Sequence, residues 1–550
     1  MKKFKIGFVI NQDNIDIYKK NLIKFINNNT NFDQSILIKI KNKEENKSLK
    51  YFITRLLKIS IYEKIINKIL KKIINIIEIN RIKKKKIFSD YGEKIKLKNL
   101  KLETFNIKLN EKEIFDKSEL NLLQNQKIDI LIFFDKNIND RDFLNISKLG
   151  ALTLNKSDDR FIKSDVIGFW ETYLNKKSIG FSINKISAQN ELDNVLFRGN
   201  IRVRTLWHEN KAMIDRKSLE FLKIILLKLS EKKFINKLKE VNLSQTKIIK
   251  NPSSVHLLKY MFREYSRIFL SRIHQCLGVK KKWSVSFSNE TNIKINFKKF
   301  ITIKNPPNRF LADPFIIKKN ERNICFVEDY CFKKKKAKIS AYELFHDNYK
   351  KVGTALEENF HLSFPYVFKH NNEVFMIPET GEINEIRLYK CTNFPLSWKF
   401  EKTLIKNIDA VDTIVFKDEN KWYLLSNVCS SFINEHDSEL HLYTSENLIS
   451  ENWIRSENNP IIFNTEKGRN GGFFNFNGSF YRVNQVHKKN QYGYSLKINK
   501  VVSINENSYQ ELEVNEIKPI FLNSLIGTHH FHMNEEFTVI DHLSTSYRLF

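Results

Sequence analysis

The chain has few cysteines, and they form no pattern. Only five occur among 550 residues, and no two are spaced as C-x-x-C. An odd, scattered set excludes a disulfide framework and is typical of a protein that works in a reducing compartment. The sequence therefore predicts a cytoplasmic protein. The cysteines are Cys276, Cys325, Cys331, Cys391 and Cys429.

Long hydrophobic runs are also absent. No stretch of about 18 uncharged apolar residues exists, so no segment is predicted to span a membrane. Residues 1–10 combine lysines with an apolar run, as a signal peptide does. However, the run is short and no small-residue cleavage site follows it. We therefore expect residues 4–10 to form a first buried β-strand.

Acidic residues are outnumbered, with 62 against 93 basic ones and a net charge of +31. Such a surplus would suit nucleic acid or an anionic membrane surface. No zinc-finger spacing, RNP-like aromatic motif or basic-zipper heptad accompanies it. Lys, Ile and Asn are all encoded by A/T-rich codons, so base composition alone explains the excess. The sequence predicts no nucleic-acid partner.

What the chain does contain is enough apolar sequence for two or three domains, since 41% of 550 residues are hydrophobic. Apolar strands at residues 128–134, 151–154 and 179–183 are separated by helical segments, which is typical of an open α/β sheet. We predict an α/β domain over 1–215, a basic helical connector over 216–282, and an all-β domain over 283–550.

Five hairpin patterns recur in the C-terminal half at intervals of about 50 to 60 residues. Each has an apolar strand, a turn with Asn or Asp, and a second apolar strand. A strand repeat of this length predicts a five-bladed β-propeller. Residues 283–287 alternate like a strand, and we expect them to complete the last blade. The hairpins pair 315–317 with 324–326, 366–368 with 374–376, 414–416 with 422–424, 473–474 with 480–481, and 531 with 537–540.

A long helix is predicted over residues 51–82, with apolar residues at helical spacing and lysines between them. It ends in four lysines, 83–86. One interpretation is an interfacial helix that binds anionic lipid at the inner membrane surface. The other is an amphipathic helix that packs on its own domain and ends in a solvated charge run. The sequence leaves both open.

Residues 1–215 resemble the N-terminal fold of the formyltransferases that act on methionyl-tRNA and sugars. The resemblance rests on residues 129–134, 150–157, 168–171, 178–183 and 192–196. It implies an Asn, a His and an Asp that polarise the formyl carbonyl and move a proton. Here the first two positions are Thr153 and Asn155, and only Asp193 matches. We therefore expect a degenerate domain without a folate formyl donor.

The loop after the strand at 151–154 lies where α/β sheets bind ligands. Asp159 and Arg160 in this loop, together with Asp193, are candidate contacts for a nucleotide-sugar or another anion. A polar loop without a ligand is the alternative. No other cofactor is indicated.

Residues 283–550 resemble the amino-terminal domain of glucosamine inositolphosphorylceramide transferase and, more distantly, the arabinanase and family 43 glycosidase propellers. The matching segments are 312–315, 360–368, 376–379, 387–389, 394–398, 411–412, 469–472, 481–485, 492–493 and 527–530. They run in order through the whole predicted propeller.

Three acidic residues from three blades, Asp313, Glu379 and Asp412, are the candidate catalytic groups. Three such carboxyls are what an inverting glycosidase requires. The glycosidase resemblance implies that Asp313 is the base and that Asp412 tunes and orients. It also implies a general-acid Glu in the fourth blade, where this chain has Arg-Asn-Gly-Gly at 469–472. Because the expected general acid is missing, the sequence argues against plain hydrolysis.

Three further residues, Arg469, His529 and His530, are predicted substrate contacts, and no standard metal-ligand spacing is present. The hypothesis is a carbohydrate-active protein of surface glycan or glycolipid biosynthesis that binds a sugar, nucleotide-sugar or glycolipid. Whether it is an enzyme, such as a transferase related to glycosyltransferases or glycosidases, stays open. The alternatives are a non-catalytic glycan-binding scaffold of a glycosyltransferase and a sugar N-formyltransferase with an altered site.

Overall fold

The computed structural model divides the chain into two compact units, Met1–Arg267 and Ile268–Phe550. Residues 216–267 of the predicted connector belong to the first unit. The structure describes residues 3–41, 59–108, 115–135, 140–157, 162–164, 166–188, 190–233, 247–249, 251–277, 280–294, 299–431 and 433–546. Within these ranges, side chains are not described at 59–61, 162–163, 190–193, 247–248, 275, 280 and 546.

A seven-stranded mixed sheet forms the centre of the first unit, in the order β10-β9-β7-β6-β1-β3-β5. The strands from β7 to β5 are parallel, and β9 and β10 are antiparallel. This confirms the predicted α/β sheet. The strands of the unit are β1 Ile6–Ile10, β2 Asn14–Asp16, β3 Ile36–Lys41, β4 Lys94–Lys96, β5 Thr104–Lys108, β6 Ile130–Phe133, β7 Ala151–Asn155, β8 Ile162–Lys163, β9 Ser178–Ser187, β10 Asn190–Arg202 and β11 Lys247–Ile248.

Seven α-helices are described, and α7 runs across the division between the two units. They are α1 Ile17–Asn28, α2 Ile59–Lys83, α3 Lys117–Gln124, α4 Arg141–Leu144, α5 Phe169–Tyr173, α6 Trp207–Ser230 and α7 Ser254–Cys276, with 3₁₀ turns at Lys86–Phe88, Leu97–Leu100 and Gly381–Ile383. Ile74 of α2, Trp207 of α6 and Leu257 of α7 share one buried cluster. Among the described residues, none of these helices has the length and apolarity needed to cross a membrane.

The second unit is a five-bladed β-propeller, as predicted. Blades one to four each begin with the sheet's innermost strand and proceed outwards. Their strands are β14 Arg309–Lys319, β15 Arg322–Cys331, β16 Lys336–Leu344 and β17 Tyr349–Leu356; β18 Ser363–His370, β19 Glu373–Glu379, β20 Glu385–Asn393 and β21 Ser397–Lys406; β22 Ala410–Asp418, β23 Lys421–Val428, β24 Glu439–Ser445, β25 Ile454–Arg455 and β26 Ile462–Phe463; and β27 Asn470–Phe476, β28 Ser479–Lys488, β29 Gln491–Asn505 and β30 Ser508–Ile517.

The fifth blade joins the two ends of the propeller sequence. Its strands are β12 Lys280–Ser288, β13 Ile301–Ile303, β31 Leu525–Gly527, β32 Phe531–Met533 and β33 Thr538–Ser546. Strand β12 pairs antiparallel with β33 over nine residues, so the first strand completes the last blade. This confirms the predicted role of residues 283–287 and closes the ring.

The hairpin turns explain why the repeat is visible in the sequence. Asn320, Asn371, Asn372 and Asn477 have positive φ, between 49° and 61°. Asn tolerates this left-handed conformation better than other residues with a Cβ. The strands on both sides carry the buried apolar residues that pack blade against blade. All five predicted hairpins are present.

Candidate active site

The innermost strands of the blades carry a bulge at one shared position. The pairing register shifts at Ala312/Phe315 in β14, at Ser363/Tyr366 in β18 and at Val411/Ile414 in β22. The residues in these bulges, Asp313, Phe364 and Asp412, have φ of 49°, 44° and 49°. Bulges turn a side chain away from the strand's regular alternation, and strained backbone of this kind clusters at functional sites. Asp313 and Asp412 therefore lie at the same end of the propeller's central channel, which the innermost strands line.

Asp313 belongs to a chain of charged groups with His529 and Asp541. His529 lies with Nε2 3.5 Å from Asp313 Oδ1 and Nδ1 2.5 Å from Asp541 Oδ2. Asp541 also accepts the backbone N–H groups of His529 and His530, each at 2.9 Å. These bonds fix the imidazole ring, so that one nitrogen faces the Asp313 carboxyl group.

Asp412 belongs to a second group with Glu379 and Arg469. The Arg469 guanidinium donates from Nε to Asp412 Oδ2 at 2.5 Å, and Gln485 Nε2 donates to the same oxygen at 3.3 Å. The charge of the nearby Glu379 side chain also raises the pKa of Asp412. Ionisation of Asp412 is disfavoured there, because two nearby negative charges repel each other. Glu379 is partly exposed, whereas Asp412 is buried.

Burial and mutual repulsion hold protons on several of these acids. Burial raises the pKa of Asp313 to about 7; His529 lowers it, and Asp541 and Asp412 raise it. Burial likewise raises the pKa of Asp412 to about 7. Arg469 lowers this pKa, and Glu379 raises it. The pKa of Glu328 lies well above its usual range because it is buried beside the other acids. For His529, burial lowers the pKa, but Asp541 and Asp313 outweigh it and the net shift is upward.

The predicted catalytic residues Asp313, Glu379 and Asp412 therefore belong to one cluster of electrostatically interacting acids at one end of the propeller. Carboxyl groups with pKa values near 7 exchange protons readily at neutral pH, which suits general acid–base chemistry. The arrangement can take a proton from one oxygen and give a proton to another.

At residues 471 and 472, the fourth blade has no room for an acidic side chain. Gly471 and Gly472 lie where β27 passes the segment before β32, and a Cβ at Gly472 would overlap the carbonyl oxygen of Phe531. Gly472 also has a φ of 137°. Only glycine fits there. The side chains of this blade that bond Asp412 are instead Arg469, which precedes the glycine pair, and Gln485 of β28.

The two predicted histidines differ in exposure. His529 is 5% exposed and stacks on Trp283, with 3.9 Å between ring centres. His530 is completely buried, and its ring contacts Phe315 edge-on at 4.3 Å. His529 thus lies nearer to the channel opening than His530.

Among the residues that the structure describes, two sets of side chains have atoms close enough to hold a metal ion: Asp313, His529 and Asp541, and separately Asp409, Cys429 and His436. In the first set, the short bond between His529 and Asp541 already accounts for the geometry. In the second, His436 Nε2 lies 2.7 Å from Asp409 Oδ1. In each set, one histidine nitrogen thus lies within 2.7 Å of a carboxylate oxygen.

Sequence reasoning missed Glu328, Gln485 and Asp541. Glu328 pairs with Ala312 across β14 and β15, next to Asp313. Asp541 follows the buried residues Val539 and Ile540 in β33. The available signal was an acid directly after two or more apolar residues in a strand, since buried charges are costly and rarely kept without a role.

An aromatic wall borders the acids. Tyr492 is 37% exposed and contacts His529 edge-on, with 5.4 Å between ring centres. The Arg469 guanidinium lies 5.9 Å from the centre of the Tyr492 ring. This wall gives the site an accessible apolar surface beside its charges, as ligand sites commonly have.

In the first unit, Thr153 is buried in β7 and Asn155 accepts a hydrogen bond from Ser157 Oγ at 3.1 Å. Asp159 and Arg160 lie outside the described residues, as does the side chain of Asp193. The formyltransferase resemblance and the anion site of this loop stay predictions.

Residues 292–534 match the family model described as "Glucosamine inositolphosphorylceramide transferase 1, N-terminal". This confirms the predicted resemblance of the propeller region. "Glucosamine inositolphosphorylceramide transferase 1" of Arabidopsis thaliana is 36% identical over 157 residues, which are 28% of this chain and 20% of that protein. The chain thus spans about one fifth of the length of the curated relatives it matches.

Among solved structures, the catalytic domain of a GH62 alpha-L-arabinofuranosidase of Coprinopsis cinerea is 9% identical, with a TM-score of 0.31 over 48% of this chain and 96% of that one. An exo-1,5-alpha-L-arabinanase from a bovine ruminal metagenomic library is 12% identical, with a TM-score of 0.29 over 37% and 77% of the respective chains.

Proposed function

We propose that the propeller binds a sugar, as part of a glycan or glycolipid, and breaks or transfers its glycosidic bond at the acid cluster. The observation that carries this proposal is the pair of buried carboxyl groups, Asp313 and Asp412, which equivalent bulges bring to one end of the channel with different partners. The match of residues 292–534 supports a glycolipid sugar as the substrate class.

In this mechanism Asp313 takes the proton of the attacking water or acceptor hydroxyl, whose oxygen forms a bond to the anomeric carbon. The bond from that carbon to the leaving oxygen breaks, and its electron pair stays on the leaving oxygen. Glu379 supplies the proton to that oxygen, because it is the more exposed member of its pair with Asp412. Two carboxyl groups in these roles invert the anomeric centre.

The remaining groups set charge and position. His529, fixed by Asp541, stabilises the ionised form of Asp313 that acts as the base. Glu379 becomes negatively charged when it releases its proton, and Arg469 offsets the negative charge that this adds beside Asp412. Removing one such hydrogen-bonded charge from a catalytic site typically costs about 100-fold or more in rate.

The test measures turnover of a panel of aryl glycosides and glycosylated lipids by the full chain and by Asp313→Asn. We expect the variant to lose about 100-fold or more in kcat. Asp418→Asn is the matched control, because Asp418 lies in the same strand as Asp412 but at its opposite end. A wild-type protein that binds these sugars without turning any over would instead establish a non-catalytic glycan-binding protein.

We further propose that the first unit contacts an anionic membrane surface, where a glycolipid would be available. Helix α2 buries Ile74 and Ile82, yet it exposes a second apolar face with residues three or four positions apart. Lysines separate these residues along the helix. Apolar side chains beside cations are the pattern of an interfacial helix. The exposed residues are Tyr62, Ile65, Ile66, Ile69, Ile73, Ile76 and Ile77.

Helix α7 adds to this surface, because it packs beside α2. Tyr260 of α7 donates to Glu78 Oε1 of α2 at 2.6 Å. Next to it α7 exposes Val255, Leu258 and Phe262, the last by 81%. Two neighbouring helices with exposed apolar faces form a larger apolar surface than monomeric soluble proteins usually expose.

Vesicle co-sedimentation tests this contact. We expect binding to phosphatidylglycerol vesicles and little to phosphatidylcholine, since the charge of the lysines requires anionic lipid. Ile69→Glu with Ile73→Glu should abolish binding, and charge reversal of Lys83–Lys86 should weaken it. Ile454→Glu, at an isoleucine in the propeller that is 68% exposed, is the control. If neither the isoleucine nor the lysine substitutions changed vesicle binding, the proposal would be rejected.

A further inference from the structure

The propeller channel has a second mouth at the end opposite the acids. There the hairpin ends of the innermost strands enclose a cavity of about 670 Å³. Lys319, Lys369 and Lys417 line it at the ends of β14, β18 and β22. The cavity is within the size range of sites for small organic ligands, roughly 300–1,000 Å³.

A plug of aromatic side chains separates the two mouths. Phe315, Phe364 and His530 are completely buried between the acid cluster and the cavity. The ring of Phe315 lies 4.9 Å from Phe364 and 4.3 Å from His530. A ligand in the cavity therefore does not reach Asp313 or Asp412, and the second mouth is a site of its own.

Lysines outnumber acids around the cavity, with Lys318, Lys319, Lys369 and Lys417 against Glu321 and Glu535. Lys369 and Lys417 are exposed and belong to neighbouring blades. Within the described part of the chain, neither has a carboxylate within ion-pair distance. By contrast, Lys318 on the same rim is neutralised by Glu536 at 2.6 Å and Glu321 at 2.8 Å. Two lysines thus remain free to bind an anion.

Aromatic rings form the wall between these two lysines. Lys417 lies directly opposite Trp422 across the β22–β23 pair. Phe368 is partly exposed, and its ring centre lies 6.2 Å from that of Trp422. His370 contacts the same Trp422 edge-on at 4.9 Å. Phe368, Lys369 and Lys417 all line the cavity.

We propose that the second mouth binds a nucleoside phosphate, with its phosphates on Lys369 and Lys417 and its base against Phe368. Phosphates suit two unpaired ammonium groups, and aromatic side chains stack on any base because every base has a π-face. This site goes beyond the proposed sugar chemistry and does not depend on it.

Isothermal titration calorimetry on the full chain, with uridine diphosphate, adenosine diphosphate and inorganic pyrophosphate, tests the site. We expect at least one of the two nucleotides to bind, and binding to weaken about tenfold or more in Lys369→Glu/Lys417→Glu. Lys333→Glu/Lys350→Glu makes the same charge change at exposed lysines outside the cavity and should leave binding unchanged.

Phe368→Leu separates stacking from charge. It should weaken the nucleotide but not pyrophosphate, because only the base contacts the ring. Asp313→Asn should bind the nucleotide as the wild type does, even if the sugar chemistry fails. No nucleotide binding up to about 1 mM, or binding that the double lysine variant leaves intact, would overturn the proposal.

Discussion

At the scale of single residues, Arg469 is the side chain on which the charge state of the site depends most directly. It bonds Asp412 at 2.5 Å, and its side chain is only 11% exposed. Arg469→Ala removes the cation that lowers the pKa of Asp412, so that pKa rises above its value of about 7. We expect a loss of about 100-fold in kcat and a pH profile whose affected limb moves to higher pH.

Arg469→Lys is the informative partner variant, since it keeps the charge but not the planar guanidinium. It should restore the pH profile more fully than the rate. If Arg469→Ala instead lowered kcat with no movement of the profile, Arg469 would be a structural residue only.

Gly472 is the second residue with a defined consequence. Its backbone lies in the left-handed region, and a Cβ would overlap the Phe531 carbonyl. We therefore expect Gly472→Ala to lower the free energy of unfolding by about 2 kcal/mol or more. Urea unfolding measures this. Gly478→Ala is the control, because a Cβ there has nothing within 4 Å although φ is 72°. Equal effects of the two changes would mean that φ alone matters.

At the scale of elements, closure of the ring depends on β12. Phe287 of this strand is completely buried and packs on Phe537, with 6.1 Å between ring centres. Phe287→Ala should cost about 3–5 kcal/mol, because it opens a cavity in the blade that joins both ends of the propeller. Ile454→Ala, at an exposed strand residue, should cost little. Urea unfolding followed by near-UV circular dichroism compares them.

The propeller strands could be predicted because residues next to one another in the sequence mark each hairpin turn. Asn371 and Asn372 mark a tight turn, and the apolar residues on both sides fix the pairing. The sequence placed Asp313 and Asp412 just before innermost strands, whereas both lie inside β14 and β22, in bulges that no local pattern predicted. Glu328 and Asp541 could not be found in this way, because they lie on second strands. Pairing of β15 with β14 brings Glu328 next to Asp313, whereas only the closed ring brings Asp541 there. Likewise, no local pattern could show that α7 packs on α2 through Tyr260 and Glu78.

At the scale of the whole molecule, the propeller concentrates acids at one end of its channel and unpaired lysines at the other. Holding buried acids together is costly, and the fold reduces that cost by keeping protons on them. The proposed acid–base chemistry then requires some of these carboxyl groups to ionise. The stability of the protein must therefore respond to pH in the range where Asp313 and Asp412 titrate.

We predict that the free energy of unfolding falls by about 1–2 kcal/mol between pH 6.5 and 8.5. The folded pKa of Asp313 and of Asp412 is about 7, whereas unfolded aspartates ionise near 4, so the folded state holds more protons in this range. His529 acts in the same direction, because its pKa is raised in the folded state. Buried neutral histidines such as His532 act oppositely, but only below about pH 6.5.

Urea unfolding at several pH values measures this slope. Asp313→Asn should flatten it and should make the protein more stable than the wild type at pH 8.5, because an uncharged amide replaces a buried group that must ionise. Asp418→Asn, at the far end of β22, should leave the slope unchanged. A wild-type stability that is constant or rises from pH 6.5 to 8.5 would mean that Asp313 and Asp412 are already ionised at neutral pH, and the acid–base roles assigned to this cluster would then fail.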